Sequence, residues 1–371
     1  MTAVFMVLLL FPFVNGQLQL FDDIAATENR QKAAKPKFKL DNLDVFPSQF
    51  EHYFNDNFPL RSRFIKYYNR LSIVTFKKSP IPNHAVIGKD GWLFGTGKEL
   101  DAYTGRNYLS SEELKCLQLE LEFRQKYVAQ SGAKFYFLIA PAKANIYPEY
   151  MPFNVFLNKR ASWGEQFNQY LVKNSTVKPI DVFPVLKNKD EKEPFYYKLD
   201  VHMNQLGGFY TSNEILKRIH LDYPLVKPFS ISDYNIVKTD GMGGDLSNMF
   251  GNLDLFKDKS FTLMPKLGFK ATAGKKFGYL PIEGFAYPES HETVNEIKSS
   301  DLPKILIISD SFGGIMFPFL SESFSKTVKI FDAWQYKLNE DVIKNEKPDI
   351  VLLIVWEPHL RSILDFQSRL Q

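Results

Sequence analysis

The chain has 371 residues, with 46 Lys and Arg against 42 Asp and Glu for a formal charge of +4, 44% hydrophobic residues and one cysteine. A hydrophobic share at the globular average excludes a disordered chain, and one cysteine excludes a disulfide framework or a Cys-rich zinc domain. So small a charge excess excludes a polyanion-binding field and hence nucleic acid, while an acidic sugar polymer stays open.

No charged side chain occurs between Met1 and Phe21, and residues 3–14 are wholly apolar or proline. This reads as a membrane anchor or a cleaved signal over 1–21. As a helix rising about 1.5 Å per residue the uncharged stretch approaches the ~30 Å hydrocarbon core, with Pro12 and Asn15-Gly16 weakening its middle. Arg30, Lys32, Lys35, Lys37 and Lys39 follow it and, by the positive-inside rule, count against export. Residues 22–39 are polar and read as a tether. Phe50, Tyr53, Phe54, Phe58, Phe64, Tyr67, Tyr68 and Leu71 recur near three and four apart, which predicts helices over 46–76 with an aromatic face packed into a core. A unit of tether and N-terminal helices therefore spans 22–79.

From residue 80 to 371 strands and helices alternate. Residues 86–94 predict a hairpin with Asp90-Gly91 in the turn, and 110–130 a helix opened by Ser and acidic residues. The apolar runs 134–140, 304–308 and 350–355 predict strands covered on both faces, and helices are expected at 161–173, 205–219, 311–323 and 339–345. That order predicts an α/β domain with a parallel sheet between helical layers. Residues 222–299, rich in Gly and Pro-containing segments, read as an insertion.

Two places carry chemistry. Residues 305–314 run from a buried strand through Ser309-Asp310-Ser311 into a helix. A serine there faces the crevice at the carboxyl end of a parallel strand, with its own N–H and the helix start available to an oxyanion. The alternative is that Asp310 or Ser311 only caps the helix. The second place is Asp200-Val201-His202, just before a helix that Asn204 can cap. Two side chains flanking one residue leave an extended segment on the same side, so the carboxylate can steer the imidazole and fix its tautomer. The six histidines are scattered, so no metal site is expected. His291-Glu292 lacks the second histidine of a zinc-protease signature and reads as a loop, and the glycines match no nucleotide motif, so no cofactor is expected.

From about residue 82 onward these residues resemble the alginate O-acetylation proteins, a family with an SGNH-hydrolase-like domain whose bacterial members acetylate exported polysaccharides. The resemblance rests on the hairpin 88–94, on Pro141-Ala142-Lys143 with Ile146-Tyr147-Pro148-Glu149, on Asp200-x-His202 and on Ser309-Asp310-Ser311. It implies that Asp200, His202 and Ser311 form a triad in the family's order, with the Asp-His pair before the serine. Two departures are Met203, where the family commonly has Trp, and Ser309, where it has Gly. The resemblance further implies an O-acetyltransferase working through an acetyl-serine on a polysaccharide hydroxyl. Its acetyl donor would be supplied by a membrane-bound O-acyltransferase, and the chain would sit on the periplasmic side of the bacterial inner membrane, anchored or released by signal cleavage. Gly244 and Asn248 are candidate oxyanion donors, and Lys143 a candidate substrate contact. Within the same fold Glu357-Pro358-His359 is a rival acid–base pair, which would suit an acetylesterase. The non-enzyme alternative is an inert polysaccharide-binding or assembly subunit on the same scaffold.

Overall fold

The computed structural model describes residues 2–21, 32–153, 155, 161–188, 192–298 and 301–366. Part of the expected tether, 22–31, lies outside the described residues. The apolar N-terminus forms α1 (Thr2–Leu18), followed by α2 (Phe46–Asn57) and α3 (Arg61–Val74). No helix among the described residues is long and apolar enough to cross a membrane. Helices thus form where the aromatic spacing predicts them, but the expected burial does not follow. Phe50, Phe54, Phe64, Tyr67 and Tyr68 are exposed, and Phe13 of α1 packs on Phe54 and Phe58 at 6.2 and 5.7 Å. The reason is that α3 docks by a different, narrow face. Ile73 enters a small cluster with Leu93, Leu246 and Phe250, and Asn69 donates to the Phe250 carbonyl at 2.9 Å. A stripe at helical spacing does not say which neighbour covers it.

Strands β1 (Ala85–Ile87) and β2 (Leu93–Gly95) pair antiparallel as the predicted hairpin, with Asp90 and Gly91 both at positive φ (52° and 74°) in the turn. After α4 (Lys98–Thr104), α5 (Ser111–Gln130) begins with a reciprocal cap between Ser110 and Glu113. There follow β3 (Lys134–Ala140), α6 (Lys143–Ile146), α7 (Trp163–Asn174), α8 (Phe183–Leu186) and α9 (Gln205–His220). Then come β4 (Tyr234–Met242), α10 (Asp245–Asn248), β5 (Lys257–Pro265), β6 (Thr272–Ala273) and β7 (Glu292–Glu296). The chain closes with β8 (Lys304–Ser309), α11 (Ser311–Ser321), β9 (Lys326–Phe331), α12 (Glu340–Glu346) and β10 (Ile350–Trp356), then a 3-10 turn over Glu357–Phe366.

The main sheet has the order β3-β10-β8-β9-β7-β6. Its first four strands are parallel, whereas β7 runs antiparallel to β9 and β6 to β7, so the sheet is mixed rather than wholly parallel. Both antiparallel strands come from 222–299, which also forms a separate β4–β5 ribbon. Because β7 is a strand, the loop expected at 291–295 is corrected. Glu292 is buried there and accepts from the backbone N–H groups of Phe277, Gly278 and Tyr279 at 2.7–3.1 Å. Alternation of side chains divides the core in two. Leu138, Ile305, Ile307, Leu352 and Ile354 meet Phe209, Phe312 and Met316 on one face, and Phe137, Leu306, Ile308, Val351 and Leu353 meet Leu121 and Phe167 on the other. Each such buried side chain contributes about 1.5–3 kcal/mol, which is why the unbroken apolar runs sit at the centre of the sheet.

Candidate active site

The strand β8 delivers Ser309 to the carboxyl edge of the sheet, and Asp310 turns the chain into α11. Asp310 is the cap: its Oδ1 accepts from the Phe312 N–H at 2.8 Å, and its Oδ2 accepts from the Tyr336 hydroxyl at 2.6 Å and the Trp356 N–H at 2.9 Å. Burial pushes the Asp310 carboxyl up, against the pull of these donors. Ser311 is therefore released from capping. It is the first helical residue, where N–H groups have no intrahelical acceptor.

His202 approaches from the segment before α9, whose N-cap is Asn204 accepting from the Gly207 N–H at 3.0 Å. Its Nε2 lies 2.7 Å from Ser311 Oγ and its Nδ1 lies 2.6 Å from Asp200 Oδ1. With Nδ1 donating to the carboxylate, Nε2 is left as the acceptor facing the hydroxyl. The ring also packs on Phe312 at 5.2 Å. Asp200 is itself fixed: Oδ1 accepts from the His202 N–H at 3.0 Å and Oδ2 from the Asp245 N–H at 2.9 Å. Burial raises the Asp200 pKa, but the His202 hydrogen bond and charge outweigh it and bring the group down to about 2. For His202, burial opposes the charged form, yet the bond to Asp200, then its charge and that of Asp245, leave the imidazole above its ordinary pKa.

The other expected residues take different places. Lys143 is wholly buried and donates to the carbonyls of Tyr197, Lys198 and Asp200 at 3.2, 3.3 and 2.5 Å, while Asp258 Oδ2 accepts from the N–H groups of Lys198 and Leu199 at 2.6 and 3.1 Å. Lys143 thus clamps the segment that carries Asp200. Burial pushes its amine down and the neighbouring Glu99 carboxyl up. Gly244 lies against the same segment, where a Cβ would come within 2.6 Å of the Leu199 carbonyl oxygen. Asn248 is exposed in the following turn, with no hydrogen bond to the triad among the described residues.

The rival pair does not assemble. Glu357 is buried facing away, accepting from the N–H groups of Ala142 and Gly164 and from the Asn145 amide at 2.7–2.9 Å, and His359 Nδ1 meets the Tyr336 hydroxyl at 3.1 Å. Burial and then Lys98 push His359 down to about 4. Sequence reasoning missed Asp245, Asp258 and Tyr336; the Gly243-Gly244-Asp245 turn was the one local signal for the first. Asp245 Oδ2 lies 3.6 Å from His202 Nδ1, and with Asp200 it forms the group among the described residues whose ligand atoms, all within 4.8 Å, come close enough to share a cation. Nδ1 and both Asp200 oxygens are already engaged in the hydrogen bonds above, which suits a proton relay better than a metal cage.

Residues 85–265 match the family model described as "SGNH hydrolase-like domain, acetyltransferase AlgX". The resemblance drawn from the hairpin, Pro-Ala-Lys and Asp200-x-His202 therefore holds, over a stretch that ends before Ser311. No curated protein sequence matches the chain. Among solved structures, Bacillus cereus PatB1 with a sulfonyl adduct aligns with a TM-score of 0.55 at 19% identity, covering 74% of this chain and 95% of that one. A DHHW family protein from Eubacterium siraeum aligns at 0.52 and 17% identity, covering 76% and 94%. The O-acetyltransferase domain of Pseudomonas putida AlgJ aligns at 0.46 and 17% identity, covering 75% and 92%. At these identities the first two show a shared fold; the SGNH-like description comes from the family model and accords with the α/β architecture and its mixed, mostly parallel sheet.

Proposed function

We propose that the chain is an O-acetyltransferase that moves acetyl groups onto hydroxyls of an exported or cell-envelope polysaccharide, with Ser311 as nucleophile, His202 as base and Asp200 as its partner. The observation that carries this reading is the continuous hydrogen-bonded line from Asp200 through His202 to a serine freed from capping at a helix start. The acetyltransferase description of the matched family model supports the reaction class.

Chemically, His202 Nε2 takes the Ser311 proton as Oγ bonds to the acetyl carbonyl carbon, and the carbonyl electron pair becomes an oxyanion beside the Ser311 N–H. Collapse breaks the bond to the donor's leaving group, which takes the proton from Nε2 and leaves acetyl-Ser311. A sugar hydroxyl then gives its proton to Nε2 and attacks the ester carbonyl, and the second collapse breaks the Oγ–carbon bond and returns the Nε2 proton to Ser311. Asp200 stabilises the imidazolium in both halves. A membrane-bound O-acyltransferase would deliver the donor, and the uncharged N-terminus would hold the chain at the periplasmic face of the inner membrane. Appearance of the full chain only in a soluble envelope fraction would count against that attachment.

The test is acetyl release from a chromogenic acetyl ester by wild type, Ser311→Ala, His202→Ala and His359→Ala, with and without hexasaccharide acceptors. Loss on the order of 10³–10⁴-fold is expected for the first two variants and little change for the third. A sulfonyl fluoride should modify wild type at Ser311 and spare Ser311→Ala. Equal rates in all four proteins would overturn the assignment, and ester cleavage without any acetylated sugar would convert the transferase into an esterase.

A further inference from the structure

Away from the triad, the residues after β9 form an exposed aromatic group whose backbone is costly to hold. Ala333 and Trp334 both have positive φ (58° and 61°), a region that bulky side chains rarely adopt and that persists where surroundings over-determine it, often at ligand clamps. Here the surroundings are rings. Trp334 packs edge-on to Phe331, Phe285 and Tyr287 at 5.2, 5.9 and 6.4 Å, and Tyr287 lies parallel to Phe331. Phe331 is buried beneath, whereas Trp334 stays 37% and Tyr287 55% exposed. The segment bearing Tyr287 is in turn pinned near β7, where His291 Nδ1 meets the Phe331 carbonyl at 2.8 Å.

This group is continuous with the nucleophile. Phe331 is the strand partner of Ser309, and two residues earlier on the same face Lys329 brings Nζ to 3.6 Å from where a Gly314 Cβ would sit, in the first turn of α11. Lys329 is 7% exposed, touches the Phe317 ring face at 5.9 Å, and has no hydrogen-bond acceptor among the described residues. From Trp334 the loop returns to the site through Tyr336, which donates to Asp310.

We infer that Trp334 and Tyr287 form an aromatic subsite for the acceptor polysaccharide, each ring taking one pyranose, since the two rings stand 79° apart. The aromatic faces carry negative charge density and the axial C–H bonds of a pyranose carry the complementary positive one, so rings of this kind bind sugars edge-free and flat. The inference rests on the polysaccharide-acceptor reading above and adds where the acceptor chain runs: from Ser311 across the end of β9.

The two readings fail separately in the experiment. Binding of cellohexaose, chitohexaose and a hexauronate is measured by calorimetry on the full chain carrying Ser311→Ala, then with Trp334→Ala, Tyr287→Ala or Trp334→Phe added. Acetyl-ester cleavage is measured in parallel on the wild type. At least one hexasaccharide should bind the Ser311→Ala protein. Its Kd should rise tenfold or more with Trp334→Ala and with the exposed Tyr287→Ala, and by less than threefold with Trp334→Phe. Unchanged Kd in both alanine variants, or no binding of any of the three sugars, overturns the subsite whatever the ester assay gives. Sugar binding that depends on Trp334, without ester cleavage, leaves the subsite standing and removes the enzyme.

Discussion

Asp245 places a second carboxylate on the imidazole nitrogen that Asp200 already holds. At 3.6 Å from Nδ1 it acts through charge, because its backbone N–H and not its side chain completes the hydrogen-bond line. A base must be neutral to accept the serine proton, so anything that holds His202 above its ordinary ~6.5 moves the rise of activity to higher pH. Asp245→Asn removes one of those charges. The acid limb of kcat/KM should shift to lower pH with the plateau falling less than tenfold, whereas Asp200→Asn should cut the plateau itself by about 10³-fold or more. A limb that stays in place in Asp245→Asn would assign the residue a purely structural part. Stability follows the opposite signs for the two partners. The depressed Asp200 contributes stability above its ordinary pKa of ~3.9 that is lost as pH falls toward about 2. The raised His202 contributes fully below ~6.5 and fades as pH climbs through its folded value.

At the scale of an element, the turn from β8 into α11 is held by a glycine whose reason lies underneath it. A Cβ on Gly313 would stand 2.0 Å from Ser309 Oγ and 2.4 Å from Ser309 Cβ, and that hydroxyl is buried with no hydrogen-bond partner among the described residues. Gly313→Ala should therefore cost about 1–3 kcal/mol, and Ser309→Gly in the same protein should return most of it. Urea denaturation of the single and double variants checks this, and additive losses would show that the two sites do not touch. The same turn marks how far the sequence could be read. Asp200, His202 and Ser311 stand in short local patterns that strand, turn and helix signals mark as candidates, and the family resemblance was what joined them into a triad. Asp258 and Tyr336 act on that machinery only because the fold carries them there, Tyr336 onto Asp310 and Asp258 onto the N–H groups beside Asp200. Lys143 was visible as part of a motif, but its three carbonyl acceptors were not, and β9 escaped notice because its lysines break the apolar run.

Across the whole molecule, the distance between His202 and Ser311 is set by how closely α9 meets α11. Gly208 sits at that crossing, where a Cβ would lie 2.6 Å from Ile315 Cγ2 and 3.1 Å from its carbonyl oxygen. Gly208→Val should force the helices apart and draw His202 from Ser311, lowering kcat about 10²-fold with a smaller change in KM. A loss confined to thermal stability, with kcat kept, would mean that the crossing does not register the site. The same architecture has a consequence for how the molecule comes into being. Strand β10 follows every other strand among the described residues, yet it lies inside the sheet, with Ile350 against Lys134 on one side and Ile305 on the other. A chain made from its N-terminus onward holds β3 and β8 as two unjoined edges until residues 350–356 emerge, which is the arrangement most open to mispairing between copies. The maturing protein thus depends on being shielded from its own siblings through most of its synthesis, and Ser311 joins a finished sheet only once β10 is in place.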